Sequence, residues 1–162
     1  MTLAADIVDA LRSADATVAT AESLTGGLLC ATLVSVSGAS DVVRGGIVAY
    51  APGLKTDLLG VDSQLIAQHG TVTPEVAVLM AEGVRDRLGA TYGLSTTGVA
   101  GPGPSEGKQA GTVHIAVAGP DDTWTTRLEL AGDRDTIRTQ TVDALLSWMV
   151  ARLGEESRSD RG

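Results

Sequence analysis

Residues 16–34, ATVATAESLTGGLLCATLV, join a β-branched run to a segment that is apolar nearly all round, with a Ser-Leu-Thr-Gly-Gly turn between them. A helix without a polar face has to be covered on several sides, so this strand–turn–helix unit belongs to a layered structure. The rest of the chain repeats the alternation. TLAADIVDALRSADA reads as an amphipathic helix capped by Thr2, with Leu3, Ile7, Leu11 and Ala14 on one face. VVRGGIVAY reads as a second strand, PGLKTDLLG as a short helical turn opened by Pro52, and DSQLIAQHG as another short helix. In TPEVAVLMAEGVRDRLG, Thr73 caps, Pro74 takes the first helical position, and Val76, Met80, Val84 and Leu88 form one stripe before Gly89.

TYGLSTTGVAG then supplies a strand that runs into a glycine-rich loop, residues 98–111. GTVHIAVA and TWTTRLEL alternate cleanly about a GPDD turn and predict a hairpin. A last helix is expected from about Asp135 to Leu153, followed by a polar, disordered tail, GEESRSDRG. The fold class predicted is α/β: a three-layer α/β/α domain over residues 1–153 with a mixed, mostly parallel sheet and one antiparallel hairpin, and residues 154–162 as the tail. A chain of 162 residues is long enough for one sizeable core.

There is no phenylalanine and aromatics are 2% of the residues, so the core must be built from Val, Leu, Ile and Ala. Few rings are available to stack on a ligand, and recognition should rest on hydrogen bonds and charge. The formal charge of -8 argues against nucleic acid as a partner, since phosphate neutralisation needs a basic face. One cysteine excludes an intrachain disulfide; MTLAADIVDA lacks the pattern of a secretory leader, and no stretch approaches eighteen apolar residues. A cytoplasmic protein without membrane contact is expected.

Ser23 has two readings: it caps the following helix, or it is a nucleophile beside the free amides of Gly26, Gly27 and Leu28, which can stabilise an oxyanion. The surroundings do not match G-x-S-x-G. His69, at the end of a short helix, and His114, on the strand face opposite the apolar set and therefore solvated or edge-facing, lack any supporting motif. With one cysteine and two isolated histidines, a zinc site is not expected. Lys55 is either a solvated helix lysine or, if burial lowers its pKa, a base for a Ser-Lys pair.

On the last helix, Arg138 falls on the stripe of Val142, Leu145, Leu146, Met149 and Leu153, with Arg134 at its edge. An arginine there pairs with a buried carboxylate, holds an anion, or snorkels outward. The glycine-rich loop is a plain connection or a backbone cradle, and is not a P-loop. Cys30 is expected in the core.

AESLTGG, GGIVAYAPGLKTDLLGV, GTVTPEVAVLMAEG, TGVAGPGP, KQAGTVHIA and GDRDTIR occur in the order and approximate spacing of the CinA C-terminal domain family, which the chain resembles over about residues 5 to 150. That family includes stand-alone nicotinamide-nucleotide amidohydrolases. The resemblance implies a hydrolase that converts nicotinamide mononucleotide to nicotinate mononucleotide and ammonia, without cofactor or metal. It implies Ser23 as nucleophile, assisted by Tyr50 and Lys55, with substrate contacts from Thr25, Gly26, Gly27, Thr97, Gly98, Arg134 and Arg138. A homodimer is implied as well. The departures are modest: SGAS lacks a proline often found before its glycine, APG fills a variable position, and LAGDR lacks an expected aromatic. A non-catalytic ligand-binding or interaction module, linked to competence or DNA-damage responses, is the alternative from the same resemblance.

Overall fold

A computed structural model describes all of residues 1–162. Its five strands are β1 (Val18–Glu22), β2 (Val43–Val48), β3 (Tyr92–Gly98), β4 (Thr112–Ala118) and β5 (Thr123–Glu129). Six helices accompany them: α1 (Leu3–Ser13), α2 (Leu28–Val34), α3 (Pro52–Leu59), α4 (Ser63–His69), α5 (Pro74–Leu88) and α6 (Arg134–Ser159). The sheet order is β2-β1-β3-β4-β5; β2, β1 and β3 are mutually parallel, and the β4–β5 hairpin adds two antiparallel pairings. The three-layer α/β/α fold expected from the sequence is the one that forms.

The caps act where their residue types predict. Thr2 accepts from Ala5 N–H, Thr73 from Val76 N–H, and Asp133 from Thr136 N–H. One face of the sheet, with Val18, Leu94, Val113, Ile115 and Val117, buries against α1, α2 and α6. The opposite face is made of small residues. Ala116 and Ala118 meet Ala77 and Ala81 of α5, while Ala19 and Ala21 pack with Val76, Met80 and Val84. This explains how a core without phenylalanine closes: α5 lies directly on the strands. A Cβ at Gly93 would overlap the Ala81 carbonyl, and one at Gly83 would overlap the Leu59 carbonyl.

Two expectations change. The polar tail does not begin at Gly154, because α6 continues through Ser159. Its last turns are tied down by a hydrogen bond from the Tyr92 hydroxyl to Glu156 and by an Arg152–Glu155 pair at 3.3 Å, which a reading of apolar periodicity does not register. His114 is buried, not solvated, because β4 is an interior strand covered by α5 on that face. Burial, with Arg127 and Lys108 nearby, lowers its pKa.

β1 is the strand from which the chain departs to β2 on one side and later to β3 on the other. In open α/β sheets the crevice at the carboxyl ends of such strands is where ligands bind.

The small-residue contact under α5 gives a direct test. Gly→Ala inside a helix ordinarily stabilises by about 1 kcal/mol. Gly83→Ala should instead destabilise by about 1–3 kcal/mol, read from denaturant midpoints, because the new methyl meets a backbone carbonyl that cannot move aside cheaply.

Candidate active site

At the end of β1 the chain makes a tight turn in which Gly26 N–H donates to the Ser23 carbonyl at 3.1 Å, and Gly26 and Gly27 take positive φ. The cap of α2 is neither Ser23 nor Thr25. The buried Glu22 carboxylate accepts from Leu29 N–H at 2.8 Å, Cys30 N–H at 3.1 Å and the Thr25 hydroxyl at 2.7 Å. Thr25 in turn shares a 2.8 Å hydroxyl contact with Thr96 of β3. The Ser23 side chain is thereby released from capping.

The same network alters the expected oxyanion site. Of the amides at the helix start, Gly26 N–H is taken by Ser23 O and Leu28 N–H by Thr25 O, while those of Leu29 and Cys30 serve Glu22. The amides of Leu24, Thr25 and Gly27 have no acceptor within the chain.

Lys55, on α3, is fully buried. Its Nζ lies 3.0 Å from Ser23 Oγ, 2.6 Å from the Ala49 carbonyl and 3.3 Å from the Tyr50 carbonyl. Burial lowers its pKa to about 8, against the opposing pull of Glu106. With two carbonyls accepting its two N–H bonds, a neutral Lys55 amine has its lone pair left for the Ser23 hydroxyl proton. No carboxylate is hydrogen-bonded to Lys55, so nothing fixes it as an ammonium by direct contact.

Ser23 opens on a cleft of about 450 Å³ walled by Tyr50, Thr71, the loop from Gly98 to Glu106, and Arg134. The Tyr50 side chain is exposed and its hydroxyl accepts from Arg134 Nη2 at 3.1 Å. It makes no hydrogen bond to Ser23 or Lys55, so the relay expected of its hydroxyl is not in place; what Tyr50 offers Lys55 is its carbonyl. Arg134 also donates from Nη1 to Gly101 O at 2.6 Å, closing a bridge across the mouth from α6 to the loop.

Of the remaining expected contact residues, Gly98 lines the cleft, but Thr25 and Thr97 are buried behind it. The Thr97 hydroxyl donates to Thr71 O at 2.8 Å, which orients the opposite wall. Gly26 and Gly27 shape the turn and do not line the cleft. Arg138 is also outside the lining: its Nε donates to Leu24 O at 3.0 Å and Nη2 to Thr25 O at 3.3 Å, with Nη1 3.6 Å from Asp135. It meets no buried carboxylate, since Asp135 is exposed, and backbone carbonyls occupy its other donors.

Glu106 was not singled out in the sequence, although it is the one carboxylate in the glycine-rich loop. It lines the cleft and accepts from Thr71 N–H, the Thr71 hydroxyl and Val72 N–H at 2.8–3.1 Å. Partial burial pushes its pKa up, but these hydrogen bonds and the Lys108 charge outweigh that and hold it below the usual range. The loop is therefore a structured wall anchored by its own carboxylate. Cys30 is half-buried on α2. No helix is long and apolar enough to cross a membrane.

Comparison with known proteins agrees with this architecture. The family described as CinA C-terminal domain matches residues 1–153. A CinA-like protein of Frankia casuarinae is 57% identical over 131 residues, 81% of this chain and 30% of that protein. A putative competence-damage inducible protein of Desulforamulus reducens is 46% identical, over 84% of this chain and 33% of its own length. The chain thus spans about a third of these curated relatives. Among solved structures, the competence/damage inducible protein CihA of Agrobacterium tumefaciens superposes with a TM-score of 0.89 at 34% identity, covering 94% of this chain and 93% of that one. The competence damage-inducible protein A of Klebsiella pneumoniae gives a TM-score of 0.91 at 31% identity, covering 94% and 95%. By sequence, by fold and by the motifs that build the cleft, this chain belongs to the CinA C-terminal domain family.

Proposed function

We propose that the cleft hydrolyses a carboxamide by serine–lysine covalent catalysis, with nicotinamide mononucleotide as substrate. The observation that carries this reading is the buried Lys55 amine 3.0 Å from the Ser23 hydroxyl, with a pKa lowered to about 8. The choice of substrate rests on the family resemblance and on a cleft with one cationic side chain, Arg134, at its mouth, suited to a phosphate.

The neutral amine takes the Ser23 proton as Oγ attacks the carboxamide carbon. The carbonyl π pair moves onto oxygen, giving a tetrahedral oxyanion. Collapse of that intermediate breaks the C–N bond, and the Lys55 ammonium returns its proton to the departing nitrogen, which leaves as ammonia. Water, deprotonated by the same amine, then attacks the acyl-serine ester; the C–O bond to Ser23 breaks and Oγ recovers the proton. The net reaction is amide plus water to acid plus ammonia. At pH 7 roughly one Lys55 in ten is neutral, enough to serve as base.

Purified protein should release ammonia from nicotinamide mononucleotide, and Ser23→Ala should lower kcat at least about a thousandfold. Stability of that variant should stay within about 1 kcal/mol of wild type, because the Ser23 side chain caps nothing. The rate should rise about tenfold per pH unit below about 8 and level above it, and Lys55→Arg should be inactive, since arginine keeps its proton. Absence of ammonia release, or a flat profile from about pH 6 to 9 with chemistry limiting, would reject the reading and favour a binding module.

Lys55 also links stability to pH. Its folded pKa of about 8 lies below the ordinary 10.5, so between these values the unfolded chain binds more protons and stability rises with pH. Relative to Lys55→Met, the wild type should therefore gain up to about 3 kcal/mol as pH rises through that window. The midpoint difference in urea at pH 7.5 and pH 10.5 measures it.

Arg134→Ala should raise KM for the mononucleotide about 10- to 100-fold and leave the dephosphorylated riboside nearly unchanged. Equal loss on both would show that Arg134 works only by bridging Tyr50 to the loop.

A further inference from the structure

The donors of Arg138 are aimed at the back of the turn that carries Ser23. Nε reaches Leu24 O at 3.0 Å and Nη2 reaches Thr25 O at 3.3 Å, while the side chain stays outside the cleft. The Leu24 carbonyl and the Thr25 N–H belong to one planar trans peptide, so they point in opposite directions. Holding that carbonyl toward α6 fixes the Thr25 N–H to face away from α6. The preceding peptide is fixed in the same manner: its carbonyl, Ser23 O, accepts from Gly26 N–H, which sets the direction of Leu24 N–H.

Both amide hydrogens lack an acceptor within the chain; Leu24 lines the cleft beside Ser23, whereas Thr25 is fully buried behind it. Buried N–H groups are nearly always satisfied, so an unpartnered amide on the cleft side of the turn, directly after Ser23, marks the place of an external acceptor. The helix start does not supply the site: Glu22 takes the Leu29 and Cys30 donors, Thr25 O takes Leu28 N–H, and Gly27 lies outside the cleft lining.

We infer that Arg138 is the positioning residue of the oxyanion site: by gripping the Leu24 and Thr25 carbonyls from behind, it holds the turn whose Leu24 N–H faces the tetrahedral oxygen formed on Ser23. The inference rests on the serine-nucleophile reading above. Arg138 touches no substrate. It acts through the backbone.

The test separates this role from a loss of structure and from a failure of the serine reading. Acylation of Ser23 is followed with p-nitrophenyl acetate by stopped flow, and formation of a tetrahedral serine adduct by titration with a phenylboronic acid. Both probes report the serine and its amides without a nucleotide. In Arg138→Ala the acylation rate above pH 8 should fall about 10- to 100-fold, and boronate affinity should fall by a similar factor. The midpoint of the pH profile near 8 should not move, because the Lys55–Ser23 pair is untouched. Arg138→Lys keeps the charge but reaches one carbonyl, so its loss should be smaller. It carries the test if the alanine variant fails to fold.

Acylation within twofold of wild type in the folded variants would overturn the inference while leaving the nucleophile in place. A lower rate with a displaced pH midpoint, or with unchanged boronate affinity, would also overturn it, since either points to a disturbed Lys55 or a general loosening. Wild-type protein that neither acylates nor binds the boronate would reject the serine reading, and this inference with it.

Discussion

A carboxylate at the end of the first strand organises the turn that carries Ser23. Glu22 is buried and accepts three hydrogen bonds, two from the first turn of α2 and one from Thr25. Removing one partner from such a cluster leaves buried polar groups unpaired, which is costly, so strand, turn and helix hold together as a unit. The arrangement also divides labour between neighbours. Because Glu22 caps from inside the sheet, Ser23 is left with a single side-chain contact, to Lys55.

Lys55 answers the opposite question, how to bury an amine so that it gives up its proton more readily. The surroundings supply carbonyl oxygens and a hydroxyl but no carboxylate in contact. Glu106 stands off, engaged by Thr71 and Val72, and only moderates the shift. A direct ion pair would stabilise the ammonium and push the lysine pKa back up. The distance kept by Glu106 therefore matters as much as the contact made by Ser23.

Much of this was legible in the sequence. The helices announced by Thr2, Thr73 and Pro74 and the hairpin about GPDD depend on local chemistry, and they formed where their residues placed them. Residue chemistry offers Ser23 and Lys55 as a possible pair, but only the resemblance puts them in one site, since nothing in a linear pattern says that residues 32 apart meet. What periodicity could not provide was the assignment of donors. Whether Arg138 holds an anion or a backbone carbonyl is decided by a segment 113 residues away, and whether the Tyr50 hydroxyl meets lysine or arginine by the course of α3. His114 was misplaced for a related reason: a polar residue on the small-residue face of an interior strand looks solvated until the covering helix is known.

Arg134 and Arg138 stand one turn apart on the same helix. The first spans the cleft mouth to Tyr50 and Gly101, and the second grips the turn behind Ser23. An α-helix is stiff over a single turn, so these grips cannot shift independently. Any sequence drift that slides or rotates α6 must disturb entry to the cleft and the turn beneath it in the same stroke. Selection on this domain thus acts on the rod as one part: a new ligand at the mouth is easier to accommodate by remodelling the loop from Gly98 to Glu106 than by altering the helix that faces it.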